Sequence, residues 1–423
     1  MLLASPLYLQ QKKLRWIIFV TLYLLVDLYA YQGFKTLSRH PLMPWLFFGL
    51  SFFVLGLFVV QITLLSEQRN TSPGQLYVFG VFLAFFVPKL IVFGILFIED
   101  IVRLPWGAWR HWFGTGAAAE GFLPSRRRFV SALALGLAAL PFGALLYGMI
   151  RGKYQYQVLK YQLTFADLPE AFDGYTITQI SDLHCGSFDN QEKVAYGINL
   201  IQEQKSDLIL FTGDLVNNKA DELDQWQDLF SQLKAPDGVF SVLGNHDYGD
   251  YVPWPDQQTK EANLDNLKLR QKQMGWRLLL NENAVITKGN DKIHLIGVEN
   301  WGAGGFKKSG DLDLAAQGLA QKDFKILMSH DPSHWEQQVK DHDQNFHLTL
   351  SGHTHGMQFG VEIPGWFKWS PVKYRYPYWA GIYKNENRFI NVNRGFGFIG
   401  YPGRVGIKPE VTVIQLKKSQ NIG

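Results

Sequence analysis

The hydrophobic positions divide the chain into two parts. Before residue 150 they form four runs, each about as long as the roughly 20 residues that cross a bilayer as a helix. The runs are Trp16–Gln32, Pro44–Leu65, Leu76–Ile98 and Phe129–Ile150. After residue 150 they come in short stretches with strand or helix spacing, separated by polar turns. The pattern predicts a multi-domain chain: a helical transmembrane module over residues 1–150 and a soluble domain over residues 151–423.

The soluble part alternates between strand-like and helix-like segments. Strand-like segments include YTITQI, LILF, VFSV, KILM and HLTL, whereas NQEKVAYGINLIQEQ and DELDQWQDLFSQL have helical spacing. Such alternation indicates an α/β domain, in which functional side chains collect where the strands end. The polar insertion Tyr251–Trp276 predicts a further helix, either a small lid or an external crossover.

Composition excludes several classes of protein. Basic residues outnumber acidic ones up to residue 150, the balance reverses slightly afterwards, and the net charge of the chain is +4. A protein that binds nucleic acid specifically would normally carry a strong excess of basic residues, and the sequence does not show one. The one cysteine, Cys185, excludes an internal disulfide framework and a cysteine zinc cluster.

Charged residues in and beside the apolar runs bear on topology. Asp27 and Lys89 lie inside two of the runs and predict a buried structural pair, with a transport relay as the alternative. The number of basic residues on the cytoplasmic side would be the same whether the N-terminus lies inside or outside the cytoplasm, so the count does not decide the orientation. SRRRFVSALALGLAAL, beginning at Ser125, resembles a twin-arginine export signal and is otherwise an ordinary basic flank. In both cases the arginines favour the cytoplasmic side, which places residues 151–423 outside the cytoplasm.

Carboxylate, amide and imidazole side chains recur where five predicted strands end. They are Asp182, His184, Asp214, Asn245, His246, His330, His353 and His355. Each of these short patterns is common by itself, but α/β topology would bring all five strand ends together. Nitrogen and oxygen donors without a thiolate suit Mn, Fe, Zn, Co or Ni. The set is too large for one tetrahedral ion and suits two divalent ions that share a carboxylate.

Five short motifs resemble those of a known family. DLH at Asp182–His184, GDLVNN at Gly213–Asn218, GNHD at Gly244–Asp247, SHDP at Ser329–Pro332 and GHTHG at Gly352–Gly356 are similar, in order, to the five blocks of the calcineurin-like metallophosphoesterases. The likeness covers about residues 155–418, and INVNRGFGFIGYPGRVGIKPEVTVIQL resembles the end of the membrane-anchored bacterial branch. It implies two mixed sheets packed face to face and flanked by helices. The chain departs from the family at Met357, Asn217 and Asn218.

The resemblance also implies a role for each site residue. Three side chains would bind one metal ion: Asp182, His184 and His355. Three would bind the other: Asn245, His330 and His353. Asp214 would bridge the two ions. His246 would contact the substrate phosphate and protonate the leaving oxygen, and Asp247 would orient the His246 imidazole.

Together these features predict a membrane-anchored, dinuclear-metal phosphohydrolase. We expect a phosphodiesterase or pyrophosphatase that acts on a lipid-linked or membrane-proximal phosphoester. The alternatives are a phosphomonoesterase with a soluble substrate, a non-catalytic receptor or scaffold, and a transporter built on the four spans. The resemblance places the chain in a bacterial inner membrane, and the arginines before the last apolar run place the catalytic domain on the extracytoplasmic face.

Further features lie outside the five motifs. The segment Ile363–Gly381 interleaves Trp and Tyr with Lys and Arg, which suits either a loop that docks on lipid or an aromatic hairpin packed on the domain. Arg404 is a candidate phosphate contact, although the sequence favours an ordinary surface arginine. Four histidines are predicted to be structural or solvated: His294, His334, His342 and His347.

Overall fold

A computed structural model describes residues 6–64, 73–113, 124–363 and 365–419. These residues divide into two compact units, and the division along the chain falls between Leu146 and Tyr147, close to the boundary predicted after residue 150. Among the described residues, the first unit contains residues 6–64, 78–113 and 124–146, and the second contains residues 73–77, 147–363 and 365–419.

Four long helices account for the N-terminal part of the chain that the structure describes. They are α1 (Pro6–Leu37), α2 (Met43–Leu64), α3 (Pro73–Phe113) and α4 (Pro124–Ile150). The segments long and apolar enough to cross a membrane are Leu14–Leu37, Met43–Thr63, Pro73–Trp109 and Arg126–Ile150. Each predicted run coincides with one of these segments, although Leu65, which ends the second run, lies outside the described residues. The prediction of a four-span module is confirmed.

Asp27 and Lys89 form a buried pair within the first unit. The Lys89 Nζ lies 2.6 Å from Asp27 Oδ1, 2.6 Å from Ser51 Oγ and 3.1 Å from the Tyr23 hydroxyl. Two hydrogen bonds and an ion pair thus compensate the buried ammonium of Lys89. The contacts favour the structural pair over a transport relay.

The second unit is built on two six-stranded mixed sheets and a separate hairpin. The first eight strands are β1 (Gln157–Phe165), β2 (Thr176–Ile180), β3 (Leu208–Phe211), β4 (Val239–Ser241), β5 (Trp276–Leu278), β6 (Glu282–Lys288), β7 (Asp291–Gly297) and β8 (Lys325–Met328). The others are β9 (Leu348–Ser351), β10 (Val361–Ile363), β11 (Phe367–Trp369), β12 (Gly381–Asn385), β13 (Arg388–Val392) and β14 (Glu410–Lys418). The sheet orders are β1-β14-β2-β3-β4-β5 and β12-β13-β9-β8-β7-β6, and β10 pairs with β11.

The central strands are apolar on both faces, so one face packs against the other sheet and the opposite face packs against helices. In β3, Leu208 and Leu210 enter the cluster between the two sheets, whereas Ile209 and Phe211 pack outward. The helices of this unit are α5 (Gln191–Gln202), α6 (Gln227–Phe230), α7 (Gln257–Gln273) and α8 (Leu312–Ala315). The outward cluster includes Ile198 of α5. This architecture confirms the predicted fold class, two mixed sheets flanked by helices.

The structure corrects one helix prediction, and for a second helix it decides between the two predicted roles. The segment DELDQWQDLFSQL forms a 3₁₀ turn, Ala220–Leu223, followed by the single short helix α6. The Glu222 carboxylate accepts hydrogen bonds from backbone N–H groups of the preceding loop, and this ties the turn to the loop. In the insertion, α7 connects β4 to the parallel strand β5 and buries Leu267 in the outward cluster, so it is a crossover rather than a lid.

Candidate metal centre

The candidate ligands lie where strands of both sheets end. Those that follow β2, β3 and β4 come from the first sheet, and those that follow β8 and β9 come from the second. Backbone contacts join the two edges: the His353 N–H donates to both carboxylate oxygens of Asp182 at 3.0 Å. The structure thus brings together all seven predicted ligand residues and His246.

The backbone at this edge is strained. Five candidate ligands have positive φ angles: Asp182 at 53°, His184 at 46°, Asp214 at 60°, His353 at 70° and His355 at 50°. This left-handed region is uncommon for residues with a Cβ and costs about 1–3 kcal/mol per residue. Such strain persists where the surrounding structure holds it, and it turns these side chains back toward one another at the strand ends.

The first ligand group consists of Asp182, His184 and His355. The His355 Nε2 lies 3.3 Å from Asp182 Oδ1 and 3.0 Å from His184 Nε2. All three side chains are buried. Burial alone would raise the pKa of Asp182, but the neighbouring His355 holds it well below its usual range. A carboxylate and two imidazole nitrogens therefore face one another in a site removed from water.

The second group consists of Asp214, His330 and His353, with Asn245 beside it. The Nδ1–H of His330 donates to the Thr212 carbonyl at 2.7 Å, which leaves Nε2, 3.1 Å from Asp214 Oδ2, as the nitrogen that could bind a metal ion. The Nδ1 of His353 lies 2.8 Å from Asn245 Oδ1. Burial lowers the pKa of His330, but the Asp214 carboxylate overcomes this and raises it to about 10. A metal ion bound to Nε2 would take the place of that proton beside the Asp214 carboxylate.

One oxygen atom connects the two groups. The Oδ2 of Asp214 lies 3.1 Å from His330 Nε2 in the second group and 3.5 Å from His184 Nε2 in the first. Ligand atoms bound to a common metal at about 2.0–2.2 Å are separated by about 2.8–3.6 Å for bond angles of about 90° to 109°, and the donor spacings in both groups lie in this range. The donor types and their spacing therefore suit two ions that share the Asp214 carboxylate.

His246 lies beside both groups with one ring nitrogen fixed. Its Nδ1–H donates to the Asn217 carbonyl at 2.8 Å, and its backbone N–H donates to Asp214 Oδ1 at 2.8 Å. The ring packs against Tyr251, with centroids 4.5 Å apart. Burial lowers the pKa of His246. The Nδ1 hydrogen bond leaves Nε2 as the nitrogen that can exchange a proton with a substrate.

Asp247 does not have the predicted role of orienting the His246 imidazole. Its carboxylate instead accepts hydrogen bonds from the backbone N–H groups of Asp214 at 3.0 Å, Leu215 at 2.8 Å and Gly244 at 2.8 Å. The nitrogen that would need orientation, His246 Nδ1, binds the Asn217 carbonyl. Asp247 therefore fixes the loops after β3 and β4, and it acts on the site through the backbone of Asp214.

Arg404 is not the surface arginine that the sequence favoured. It is buried, and its guanidinium donates to the carbonyls of Gly395 and Gly397. Its Nη2 also lies 3.3 Å from His355 Nδ1. The side chain supports the loop after β13 against a candidate ligand, from a position within the protein.

Sequence reasoning gave no role to three further residues that touch the candidate ligands. The Tyr376 hydroxyl lies 2.8 Å from His353 Nε2, and Asp331 Oδ2 lies 3.3 Å from the same nitrogen. The Tyr251 hydroxyl accepts from Asn245 Nδ2 at 2.8 Å. Asp331 follows His330 at a strand end, so the rule that found the other ligands also points to it. The tyrosines lie in segments that carry no such signal.

Gly244 has no room for a side chain next to the shared carboxylate. A Cβ at this position would lie 2.2 Å from Asp214 Oδ1 and 2.6 Å from the Asp214 backbone nitrogen. We expect Gly244→Ala to displace Asp214 and to lower the turnover of a phosphodiester by at least about 100-fold, because small misplacements of reacting groups have effects of this size. Gly305→Ala is the matched control, since its Cβ would meet open space. Equal turnover of the two variants would contradict this account of the site.

Comparisons with known proteins agree with this geometry. Residues 175–357 match the family model described as calcineurin-like phosphoesterase. Residues 14–153 match the model described as probable calcineurin-like phosphoesterase, transmembrane domain. Together the two models account for the membrane module and for the segment that carries all five motifs.

Similar proteins occur in bacteria and in vertebrates. The metallophosphoesterase YkuE of Bacillus subtilis is 30% identical over 308 residues, which cover 70% of this chain and 98% of YkuE. The phosphodiesterase YaeI of Escherichia coli is 28% identical over 69% of this chain and 99% of its own length. A transmembrane protein with metallophosphoesterase domain from Danio rerio is 26% identical, over 64% of this chain and 60% of its own length. The chain therefore belongs to the calcineurin-like metallophosphoesterases, a family of metal-dependent phosphoric ester hydrolases, and joins this domain to a transmembrane module.

Proposed function

We propose that this chain is a phosphodiesterase or pyrophosphatase that uses two divalent metal ions on a lipid-linked or membrane-proximal phosphoester. One ion would be held by Asp182, His184 and His355, and the other by Asn245, His330 and His353. The observation that carries the proposal is the position of Asp214, whose Oδ2 lies within 3.5 Å of an imidazole nitrogen in each group. When bound, the two ions would lower the pKa of water and neutralise charge on the phosphate oxygens.

The protein's own groups would supply the rest of the chemistry. The ligands lie at a largely buried edge of two sheets, and burial strengthens the charge interactions in the site. His246 would donate a proton from Nε2 to the leaving oxygen, while the Asn217 carbonyl holds Nδ1. The negative charge of a bound phosphoester would raise the pKa of His246 back toward neutral pH, where a histidine is an efficient acid.

Two observations support the proposed bond type and substrate location. The similar protein YaeI of Escherichia coli is named a phosphodiesterase. The chain also contains four segments that could cross a membrane and that would tether the catalytic domain to a bilayer. We further propose that the catalytic domain faces the extracytoplasmic side of a bacterial inner membrane, because the arginines Arg126–Arg128 directly precede the last apolar run, Phe129–Ile150. A topology reporter fused after Gly423 tests this orientation.

A substrate comparison tests the proposed bond type. We expect the full-length protein, purified in detergent with Mn²⁺, to hydrolyse bis-p-nitrophenyl phosphate with a kcat/KM at least about 10-fold above that for p-nitrophenyl phosphate. Faster hydrolysis of the monoester would instead support a phosphomonoesterase. Absence of hydrolysis across a panel of diesters, pyrophosphates and monoesters would overturn the proposed function.

A further inference from the structure

The hairpin formed by β10 and β11 exposes its apolar face. Val361 pairs with Trp369 and Ile363 pairs with Phe367, so these four side chains lie on one face. Val361 is 50% exposed, Ile363 43% and Phe367 49%. Hairpins on soluble domains normally turn their apolar face toward the core. This hairpin does the reverse.

Polar contacts hold the opposite face against the domain. The Glu362 carboxylate accepts from Arg394 Nη2 at 2.6 Å, and Arg394 is itself buried against Glu410. The ammonium of Lys368, the cross-strand neighbour of Glu362, donates to the Ala380 carbonyl at 2.5 Å. The hairpin is thus anchored in this orientation, and its apolar face remains open.

Aromatic and basic side chains extend the exposed surface. Trp366, between the two strands, is 81% exposed, and Tyr374 is 78% exposed. Lys373 and Arg375, which flank Tyr374, are also exposed. Trp and Tyr mixed with Lys and Arg are typical of side chains at a membrane–water interface.

Exposed apolar residues also lie between the hairpin and the candidate ligand His355 along the chain. Met357 and Phe359 precede the hairpin at alternate positions and are 58% and 39% exposed, whereas Gln358 and Gly360 between them are buried. Met357 lies two residues after the candidate ligand His355. We call these exposed residues the apolar strip: Met357, Phe359, Val361, Ile363, Trp366, Phe367 and Tyr374.

The N-terminal end of the apolar strip is linked by backbone hydrogen bonds to the end of a candidate membrane span. Val405 donates its N–H to the Gln358 carbonyl at 2.7 Å, and the adjacent Arg404 N–H donates to the Gly148 carbonyl at 3.3 Å. Gly148 belongs to the second unit and to the last turn of α4, within the candidate span Arg126–Ile150. The backbone of Arg404 and Val405 therefore connects the start of the strip, at Gln358, to Gly148, two residues before the end of the candidate span.

We propose that the apolar strip docks on the surface of the bilayer in which the chain is anchored. Its apolar side chains enter the interface, and Lys373 and Arg375 lie against anionic headgroups. The docked surface leads through Met357 to the candidate metal centre. A phosphoester on a lipid headgroup therefore reaches the site without leaving the membrane, a consequence that rests on the proposed function.

Fluorescence quenching tests the docking directly. In the full-length protein, Trp366→Cys provides an exposed thiol for an environment-sensitive fluorophore, whereas the one natural cysteine, Cys185, is buried. Leu269→Cys on α7, where the native side chain is 52% exposed, is the matched control. Both proteins are reconstituted into nanodiscs of phosphatidylcholine and phosphatidylglycerol, with or without acyl chains that carry a spin label.

Docking predicts that spin-labelled lipid lowers the fluorescence at position 366 at least about 2-fold, as expected for a group within the interface. Aqueous iodide should quench position 366 weakly, and the control position should show the reverse pattern. Iodide quenching of position 366 equal to that of the control would overturn the proposal. Protection from both quenchers would overturn it too, because the strip would then be covered by protein, such as a second copy of the chain. No turnover is measured, so failure of docking and failure of the proposed hydrolysis are distinguishable.

Discussion

His246→Ala should lower phosphodiester turnover by about 10² to 10⁴-fold, the usual contribution of a positioned general acid, while both metal ions stay bound. The ring lies beside the candidate ligands, and its Nδ1 is held by the Asn217 carbonyl rather than by any of their side chains. Turnover and metal content are measured on the same preparation. His342→Ala is the matched control, because this half-buried histidine contacts Asp313 and Phe346, which belong to none of the five motifs.

The leaving group separates a catalytic acid from a merely structural histidine. An alkyl leaving group needs protonation more than a p-nitrophenolate group does, so His246→Ala should lose more activity on an alkyl phosphodiester. An equal loss on both substrates, or a loss of bound metal in His246→Ala, would contradict the role proposed for this residue.

Asp214→Asn should have an effect at least as large. The substitution keeps the shape of the side chain but removes the negative charge from an oxygen that faces both ligand groups. Two metal ions held by a shared carboxylate would stabilise the charge of the transition state by about several kcal/mol. We therefore expect the turnover of Asp214→Asn to fall at least about 10³-fold. Elemental analysis should find fewer than two metal ions per chain.

A second Asp→Asn substitution, at an exposed position, serves as the control for Asp214→Asn. Asp313 has a side chain that is 91% exposed, so Asp313→Asn removes one carboxylate without touching the candidate site. This control should keep normal turnover and normal metal content. If Asp214→Asn retains two ions and turnover like the control, the shared-carboxylate arrangement is wrong.

Local sequence predicted most of the site because its residues lie at the ends of short buried strands. Strand spacing places β3 and β9, and the polar residues that follow them then meet at the sheet edges. His353 and His355 illustrate this point: they are one residue apart in GHTHG, yet they belong to different ligand groups. Both positions have a left-handed backbone, and strand patterning gives no sign of that strain.

The errors have a common physical origin in packing between distant segments. Asp247 was expected to orient a neighbouring side chain, but it binds the backbone of a loop about thirty residues earlier. Arg404 was expected to be exposed because nothing in YPGRVG marks it as buried, whereas the loop after β13 closes over it. The hairpin after the last histidine motif could equally have packed inward. Its orientation is set by Arg394 on Glu362, a partner 32 residues away.

The central claim is that two divalent ions on one shared carboxylate make this chain a phosphohydrolase. It is tested most directly by removing all metal from the full-length protein with a chelator and adding Mn²⁺ stepwise, while bound metal and hydrolysis of bis-p-nitrophenyl phosphate are followed together. The account predicts no turnover in the stripped protein, two ions bound per chain at saturation, and full recovery of turnover only as the second ion binds. Turnover that survives complete metal removal, or that is complete with one ion per chain, would contradict it.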